Sequence, residues 1–299
     1  MIINEGNLKT LFVAFKAAFQ GVLAQAVSQY ATIATTVPST TGSEEYGWLG
    51  SFPNVREWLG DRVVNSAKSH GYTIKNKSFE LTVGVPRPAI EDDQYGVYTP
   101  MMAEMGRSMA AHPDQLVFGA LKDGTAQLCY DGQYFFDTDH PVLDDGGVVQ
   151  SQANWDNNGG SGTAWYLLDC SRSLKPIIFQ QRKAPNFVAK TSETDGNVFH
   201  ANEFIYGSDS RCNVGYGFWQ LAYGSRKTLD EAGLIAAYTA MCERKGDYGR
   251  PLGIKPTHLV VPPGLEIAAR KLVNATTLAN GADNVLKGLV EVVSVSWLA

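Results

Sequence analysis

The chain has 299 residues, 44% of them apolar, so it is long enough for one large domain or two ordinary ones with a sizeable core. Charged residues reach only 18%, against a usual figure of about 25%, and Gly is abundant at 30 residues, which leaves much of the surface suited to protein rather than water. A net charge of −5 and a pI near 5.6 argue against a protein that grips nucleic acid through a broad basic face, while an acidic shell around DNA stays compatible.

Residues 7–27 carry Leu8, Leu11, Phe12, Phe15, Phe19, Val22 and Leu23 at helical spacing, which predicts an amphipathic N-terminal helix. Glu5, Lys9, Lys16 and Gln20 interrupt its apolar residues, so neither a signal peptide nor a membrane span is expected there. Pro38, Gly42 and a Ser/Thr run make residues 35–43 a predicted linker. Beyond it, residues 46–97 read as a long hairpin-like excursion. Its first half places Trp48, Phe52, Val55, Trp58 and Leu59 among Gly50, Pro53 and Gly60. In its second half Phe79, Leu81, Val83 and Val85 alternate with Ser78, Glu80, Thr82 and Gly84, a strand with two different faces.

Thr99 and Pro100 open a helix as N-cap and first helical residue, and Met102, Met105, Met109, Leu116, Val117 and Leu121 follow. Pro113 is expected to kink or split it. Residues 125–223, rich in aromatics and Gly, read as irregular sheet with a loop at 156–162. A capping box of Thr228 and Glu231 opens a further helix that ends near Lys245 and Gly246. A buried strand at 257–261, a helix begun by Pro262 and Pro263 with Leu265, Ala268 and Leu272 on one face, and a last strand carrying Val290, Val292, Val293 and Val295 complete the chain. The predicted class is α+β.

Chemistry is sparse in this pattern. Cys129, Cys170, Cys212 and Cys242 lie far apart, without C-x-x-C spacing or a His close enough in sequence to complete a zinc motif, so they read as reduced, buried thiols of a cytoplasmic protein. Asp137, Asp139 and His140 offer two carboxylates and an imidazole to a metal. On a strand, however, the two Asp share a face while His140 points the other way, and a turn explains the same residues. The run Glu91, Asp92, Asp93 reads as a solvated or partner-facing loop, and Ser225 to Thr228 lacks the Gly a phosphate-binding loop needs. No G-x-S-x-G, H-E-x-x-H or G-x-G-x-x-G occurs. One charge pattern stands out: five Asp lie between Asp131 and Asp145, and Arg172, Lys175, Arg182, Lys183 and Lys190 follow, so opposite charges in one copy could meet between copies. Two solvated faces that never meet explain it equally well.

The order of the elements, with the stretches VPSTTGSEEYGWLGSFPNVREWLGDR (37–62), YTIKNKSFELTV (72–83), IEDDQYGVY (90–98), CYDGQYFFDTDHPV (129–142), DCSRSLKPIIFQQR (169–182), NVGYGFWQLA (213–222) and RPLGIKPTHLVVPP (250–263), resembles the major head subunits of Mu-like phages and prophages, within the Hong Kong 97-type capsid proteins. The resemblance spans nearly the whole chain. It implies an α+β Hong Kong 97-type fold: an N-terminal arm at 1–45, an extended loop at 46–97, a spine helix with a peripheral mixed-β body at 98–223, and an axial α/β domain at 224–299. It implies a structural role in the virion, without catalysis or cofactor. Hexamers and pentamers would form an icosahedral head that encloses DNA without reading its sequence. A separate scaffold protein, a portal protein and a decoration protein are the implied partners, with host cytoplasm as the place of assembly and no membrane. Leu11, Phe15 and Phe19 of the arm, and Trp48, Arg56, Glu57, Trp58, Lys75 and Lys77 of the loop, are the expected contacts between subunits, because neither segment can bury its apolar residues alone. The alternatives are a metal-dependent hydrolase using Asp137, Asp139 and His140, or another virion part such as a tail or decoration protein.

Overall fold

The computed structural model describes residues 3–49, 71–92, 96–277 and 281–299. In chain order these form α1 (Glu5–Gln25), α2 (Tyr30–Ile33), β1 (Ala34–Pro38), β2 (Ser43–Glu45), β3 (Thr73–Lys75), β4 (Lys77–Pro86), α3 (Arg87–Asp92) and α4 (Thr99–Lys122). There follow β5 (His140–Leu143), β6 (Val149–Gln152), β7 (Trp155–Asp156), β8 (Trp165–Leu168), β9 (Ile177–Lys190), α5 (Gly196–Ala201) and β10 (Glu203–Tyr216). The chain closes with β11 (Ala222–Ser225), α6 (Glu231–Cys242), β12 (His258–Val261), α7 (Pro263–Asn274) and β13 (Glu291–Ser294).

The N-terminal helix starts where Asn4 caps it, its side chain accepting from the Asn7 amide. Phe15 and Phe19 were expected to need a neighbouring subunit, but both are fully buried within the chain. Phe15 meets Tyr206 edge-on at 5.2 Å between ring centres, and Phe19 meets Phe187 at the same separation. The physical reason is that α1 lies between α4 and the β9/β10 hairpin, which supply the apolar surface the stripe requires. Leu11 is only partly buried against that cluster. By length and composition alone Glu5–Ile33 is apolar enough to cross a membrane, a test that a helix packed in a protein core also meets.

Helix α4 runs unbroken through Pro113. The proline forfeits one backbone hydrogen bond, but packing holds both halves as one helix: Met102, Met105 and Met109 are buried before it, and Val117, Phe118 and Leu121 after it. The next residue, Asp114, accepts from the Ser28 hydroxyl and from the amides of Gln29 and Tyr30, which ties the end of the arm to the middle of α4. Gly106 lets the two helices touch, since a Cβ there would lie 2.3 Å from the carbonyl oxygen of Phe19. Gly106→Val is therefore expected to push α1 off α4 at a cost of about 1–3 kcal/mol or more. Thermal unfolding together with protease cleavage inside residues 5–25 reads this out, and an unchanged melting curve with α1 still protected counts against it.

The main sheet has the order β1-β9-β10-β4. β1 runs parallel to β9, from Ala34 opposite Ile177 to Pro38 opposite Gln181, so the expected linker at 35–43 begins as an edge strand. β9 and β10 are two 14-residue strands with an irregularity around Asp209 to Cys212, where irregular sheet was expected. β4 pairs with β10 over ten residues, from Pro86 opposite Glu203 to Lys77 opposite Cys212. The alternating strand foreseen inside the extended loop is thus part of the main sheet, with Val85 facing the core. The excursion instead leaves from the short β2/β3 pair.

A second, mixed sheet has the order β13-β12-β8-β11-β7. It draws strands from 155–168 and 222–225 as well as from the C-terminal segment, so it crosses the boundary expected at residue 224. Helix α6 begins later than the predicted capping box, because Asp230 is the cap and accepts from the Gly233 amide at 2.8 Å. Ala269 and Val273 form the buried face of α7, with Leu265 and Leu272 partly buried beside them.

Candidate functional site

The one cluster of metal-type ligands among the described residues is not the trio the sequence offered. β5 begins at His140, and its ring turns into the core, fully buried and stacked on Trp219 at 3.9 Å with the planes 7° apart. Asp137 and Asp139 stay outside. Asp137 accepts from the amides of Tyr134 and Thr138, and the Asp137 carboxylate beside it pushes the Asp139 carboxyl up. The hydrolase constellation does not assemble: Asp137 and Asp139 lie in the turn before β5, as the turn reading had it, and Asp137 bonds local amides.

His140 finds other company. Its Nδ1 lies 2.7 Å from Asp131 Oδ2, and Asp131 Oδ1 accepts from the Cys129 thiol at 3.0 Å and from the Gln133 amide. Its Nε2 lies 3.2 Å from Oδ1 of Asn154, which is itself fully buried. Asn154 donates through Nδ2 to the carbonyl of Phe135 at 2.7 Å, and its Oδ1 also accepts from the Asp137 amide. Separation in sequence hid this meeting of Cys129 and His140, because the 129–140 segment doubles back on itself through the Leu128 to Tyr134 bridge.

Behind Trp219 sits Arg244, only 3% exposed. Its Nη1 donates to the carbonyls of Gln220 at 2.6 Å and Ala222 at 3.0 Å, with longer contacts to Trp219 and, through Nη2, to Ala153. The guanidinium also lies 5.3 Å from the Trp219 ring. Burial pulls its pKa down to about 10, so it remains a cation at neutral pH. Nothing in the sequence around Arg244 signalled this role.

The base of the excursion is a second polar site. Ile74 and Asn76 face inward while Lys75 and Lys77 are exposed. Gln180, fully buried, donates to the Ile74 carbonyl and to Asn76 Oδ1 and accepts from the Tyr46 hydroxyl at 2.9 Å. Asn76 in turn donates to Ser39 and to the Thr41 carbonyl. The Glu44 carboxylate accepts from the Ser39 hydroxyl, the Thr40 and Thr41 amides and the Thr41 hydroxyl, and these bonds hold it down to about 2. A carboxylate lowered in the fold contributes in full above its unfolded value near 4.5, and loses that contribution as pH falls toward 2. Protease sensitivity between residues 46 and 72 is expected to rise over that window and to be raised already at neutral pH in Glu44→Ala. Identical cleavage of both proteins at pH 7 would sink the idea.

Of the expected contact residues, Trp48 is 47% exposed with its ring 6.1 Å from Phe218, and Lys75 and Lys77 are exposed. Arg56, Glu57 and Trp58 lie outside the described residues. The opposed charge runs are largely spent within the chain: Lys183 pairs with Asp209, Lys175 donates to the Ala31 carbonyl, and Arg172 donates to the Leu252 carbonyl. On the acidic side Asp131 holds His140, and Asp144 accepts from its own turn.

The model of the family described as Mu-like prophage major head subunit gpT matches residues 8–298. The chain is 45% identical over 305 residues to the major capsid protein of Escherichia phage Mu, covering all of both chains. It is 51% identical over 275 residues to the Mu-like prophage FluMu major head subunit of Haemophilus influenzae, covering 90% of this chain and 89% of that one. Among solved structures, it superposes on a chain of the procapsid of bacteriophage JBD30 with a TM-score of 0.87 and 51% identity, over 99% of this chain and all of that one. The corresponding match to the JBD30 capsid has a TM-score of 0.80 and 39% identity over the full length of both. The likeness to head subunits extends over the whole length: the chain belongs to the Mu-like prophage major head subunit gpT family, the major capsid proteins of tailed phages with the Hong Kong 97-type fold.

Proposed function

We propose that copies of this chain associate as hexamers and pentamers into an icosahedral head, first as a procapsid around a separate scaffold and then as the DNA-filled shell. The full-length likeness to both a procapsid and a capsid subunit of JBD30 carries this reading. A portal protein at one vertex and decoration proteins on the outside complete the partners, and assembly takes place in the host cytoplasm. The arm (1–45), the extended loop, the α4 spine with its β body, and the C-terminal axial part are the working divisions. Trp48, Lys75 and Lys77, with Arg56, Glu57 and Trp58 further along the loop, are assigned to contacts between neighbours. Leu11, partly exposed on the arm, joins them. Phe15 and Phe19 act one step earlier, by holding the arm against its own chain.

Electron microscopy of the product made with and without its scaffold protein tests this directly. Closed shells of one size with scaffold, and malformed or few shells without it, are the expected result. Tubes, or single molecules under both conditions, would point to another virion part.

A further inference from the structure

We propose that Cys129, Asp131 and His140 form a binding site for one transition-metal ion of the zinc class. Their donor atoms lie within 4.8 Å of one another, and Cys129 and His140 are buried at 4% and 0% exposure. A thiol, an imidazole and a carboxylate together are the donor set that zinc takes.

The hydrogen bonding around His140 is an independent observation. Asn154 uses Nδ2 to donate to the Phe135 carbonyl, so its Oδ1 must accept, and the His140 Nε2 facing it carries a hydrogen. In a neutral imidazole that leaves Nδ1 as a lone pair, aimed at a carboxylate oxygen 2.7 Å away. Two acceptors face each other there, and a cation between them resolves the contact. One such cation is a further proton. The other is a metal, which also accounts for the thiol on the far oxygen of the same carboxylate. The fixed Nε2–H is the outer-shell bond that metal-binding histidines characteristically make.

The geometry closes with small movements. Metal–donor bonds of about 2.0–2.3 Å set tetrahedral donors about 3.3–3.6 Å apart, so the Asp131 carboxylate retreats by roughly half an ångström from both partners. Its two oxygens face Nδ1 and Sγ respectively; one of them supplies the third donor and a water the fourth. Binding releases the Cys129 thiol proton to solvent, while Nδ1 contributes a lone pair. Burial, with Asp131 beside it, pushes the free thiol far up, so without a metal Cys129 stays protonated and is no nucleophile. The ion would fasten the 129–139 loop, whose ladder among the described residues is a single isolated bridge, to the start of β5.

The test uses the full chain, produced in cobalt- or zinc-supplemented medium and, separately, stripped with a chelator and reloaded with either metal alone. One metal per chain is expected by elemental analysis, with a thiolate-to-cobalt charge-transfer band in the near ultraviolet. Cys129→Ser should lose the band and bind at least tenfold more weakly, His140→Gln should bind at least tenfold more weakly, and Cys242→Ser should match the parent in both respects. A folded parent chain without stoichiometric metal by either route, or without the thiolate band, overturns the site and leaves a proton shared by Asp131 and His140. Cys129→Ser binding like the parent overturns it as well. Should that variant not fold, the parent cobalt spectrum decides alone.

Discussion

Replacing residues 50–70 by a short Gly/Ser turn is expected to leave a folded body and to abolish closed shells, even with scaffold present. The ends of the segment are already held together: β2 pairs with β3, and the Tyr46 amide donates to the Tyr72 carbonyl at 2.8 Å. A turn there closes a shorter loop than the native one, at no added entropic cost. The buried Ser39, Asn76, Gln180 and Tyr46 network lies outside the deletion and remains intact. What disappears is the sequence carrying Arg56, Glu57 and Trp58, the groups proposed to meet the neighbouring copy. Weak contacts of this kind multiply around a closed ring, so their removal acts on assembly far more than on one chain. The deletion must stop short of β4, because Lys77–Pro86 supplies an edge of the main sheet. Circular dichroism and electron microscopy on the same preparation decide the matter. Normal shells would refute the loop's role, and loss of soluble folded protein would place the segment in the core.

Arg244→Leu is the substitution within the body expected to cost most. The side chain is buried and, among the described residues, no carboxylate pairs with it; carbonyl dipoles from Gln220 and Ala222, the longer contacts and the Trp219 ring stabilise the charge instead. Leucine replaces only the stem of the side chain and leaves those carbonyls without a donor, at about 1–3 kcal/mol for each buried acceptor stranded. A total near 3 kcal/mol, allowing for relaxation, lowers the melting temperature by roughly 6–12 °C in a chain of this size. Arg244→Lys should recover only part of the loss, since the lysine ammonium ends one bond short of Nη1 and has no second nitrogen for the Ala153 carbonyl. The comparison belongs on the unassembled chain, because assembly adds stability by mass action. A leucine variant that melts within about 2 °C of the parent would show that the carbonyls find other donors.

The parts legible in the sequence are those whose signal is local. The stripe of α1, the alternation of Phe79 to Val85, the Pro-led start of α7 and the Val-rich last strand all follow from periodicity, and each became an element of the expected type. The resemblance carried by the long stretches gave the family. Partners at a distance were not legible. Nothing near Phe15 says that Tyr206 will cover it, and a helix stripe looks the same whether another chain or its own sheet receives it. Of the two readings of Asp137, Asp139 and His140, the turn is the one the structure shows for the two Asp, while His140 begins β5 with its ring buried. That Cys129 and Asp131 wait beside that ring depends on the turn at 129–139, where the Cys129 amide donates to the Gln133 carbonyl, an irregular geometry without a periodic signature. Arg244 was invisible for the same reason, since its acceptors are backbone groups with no residue identity.

The main sheet also dictates when this chain can fold. Its two edge strands come from the beginning of the sequence and its two central strands from the second half: Ala34 waits for Ile177, and Lys77 for Cys212. Emerging from the ribosome, β1 and β4 have no strand partner, and the Phe15 and Phe19 stripe has neither Phe187 nor Tyr206 to cover it. Pairings this distant in sequence make folding slow and leave apolar surface open in the interval. Until β9 and β10 have been made, the apolar stripe of the arm therefore stays open to contacts with other copies of the chain.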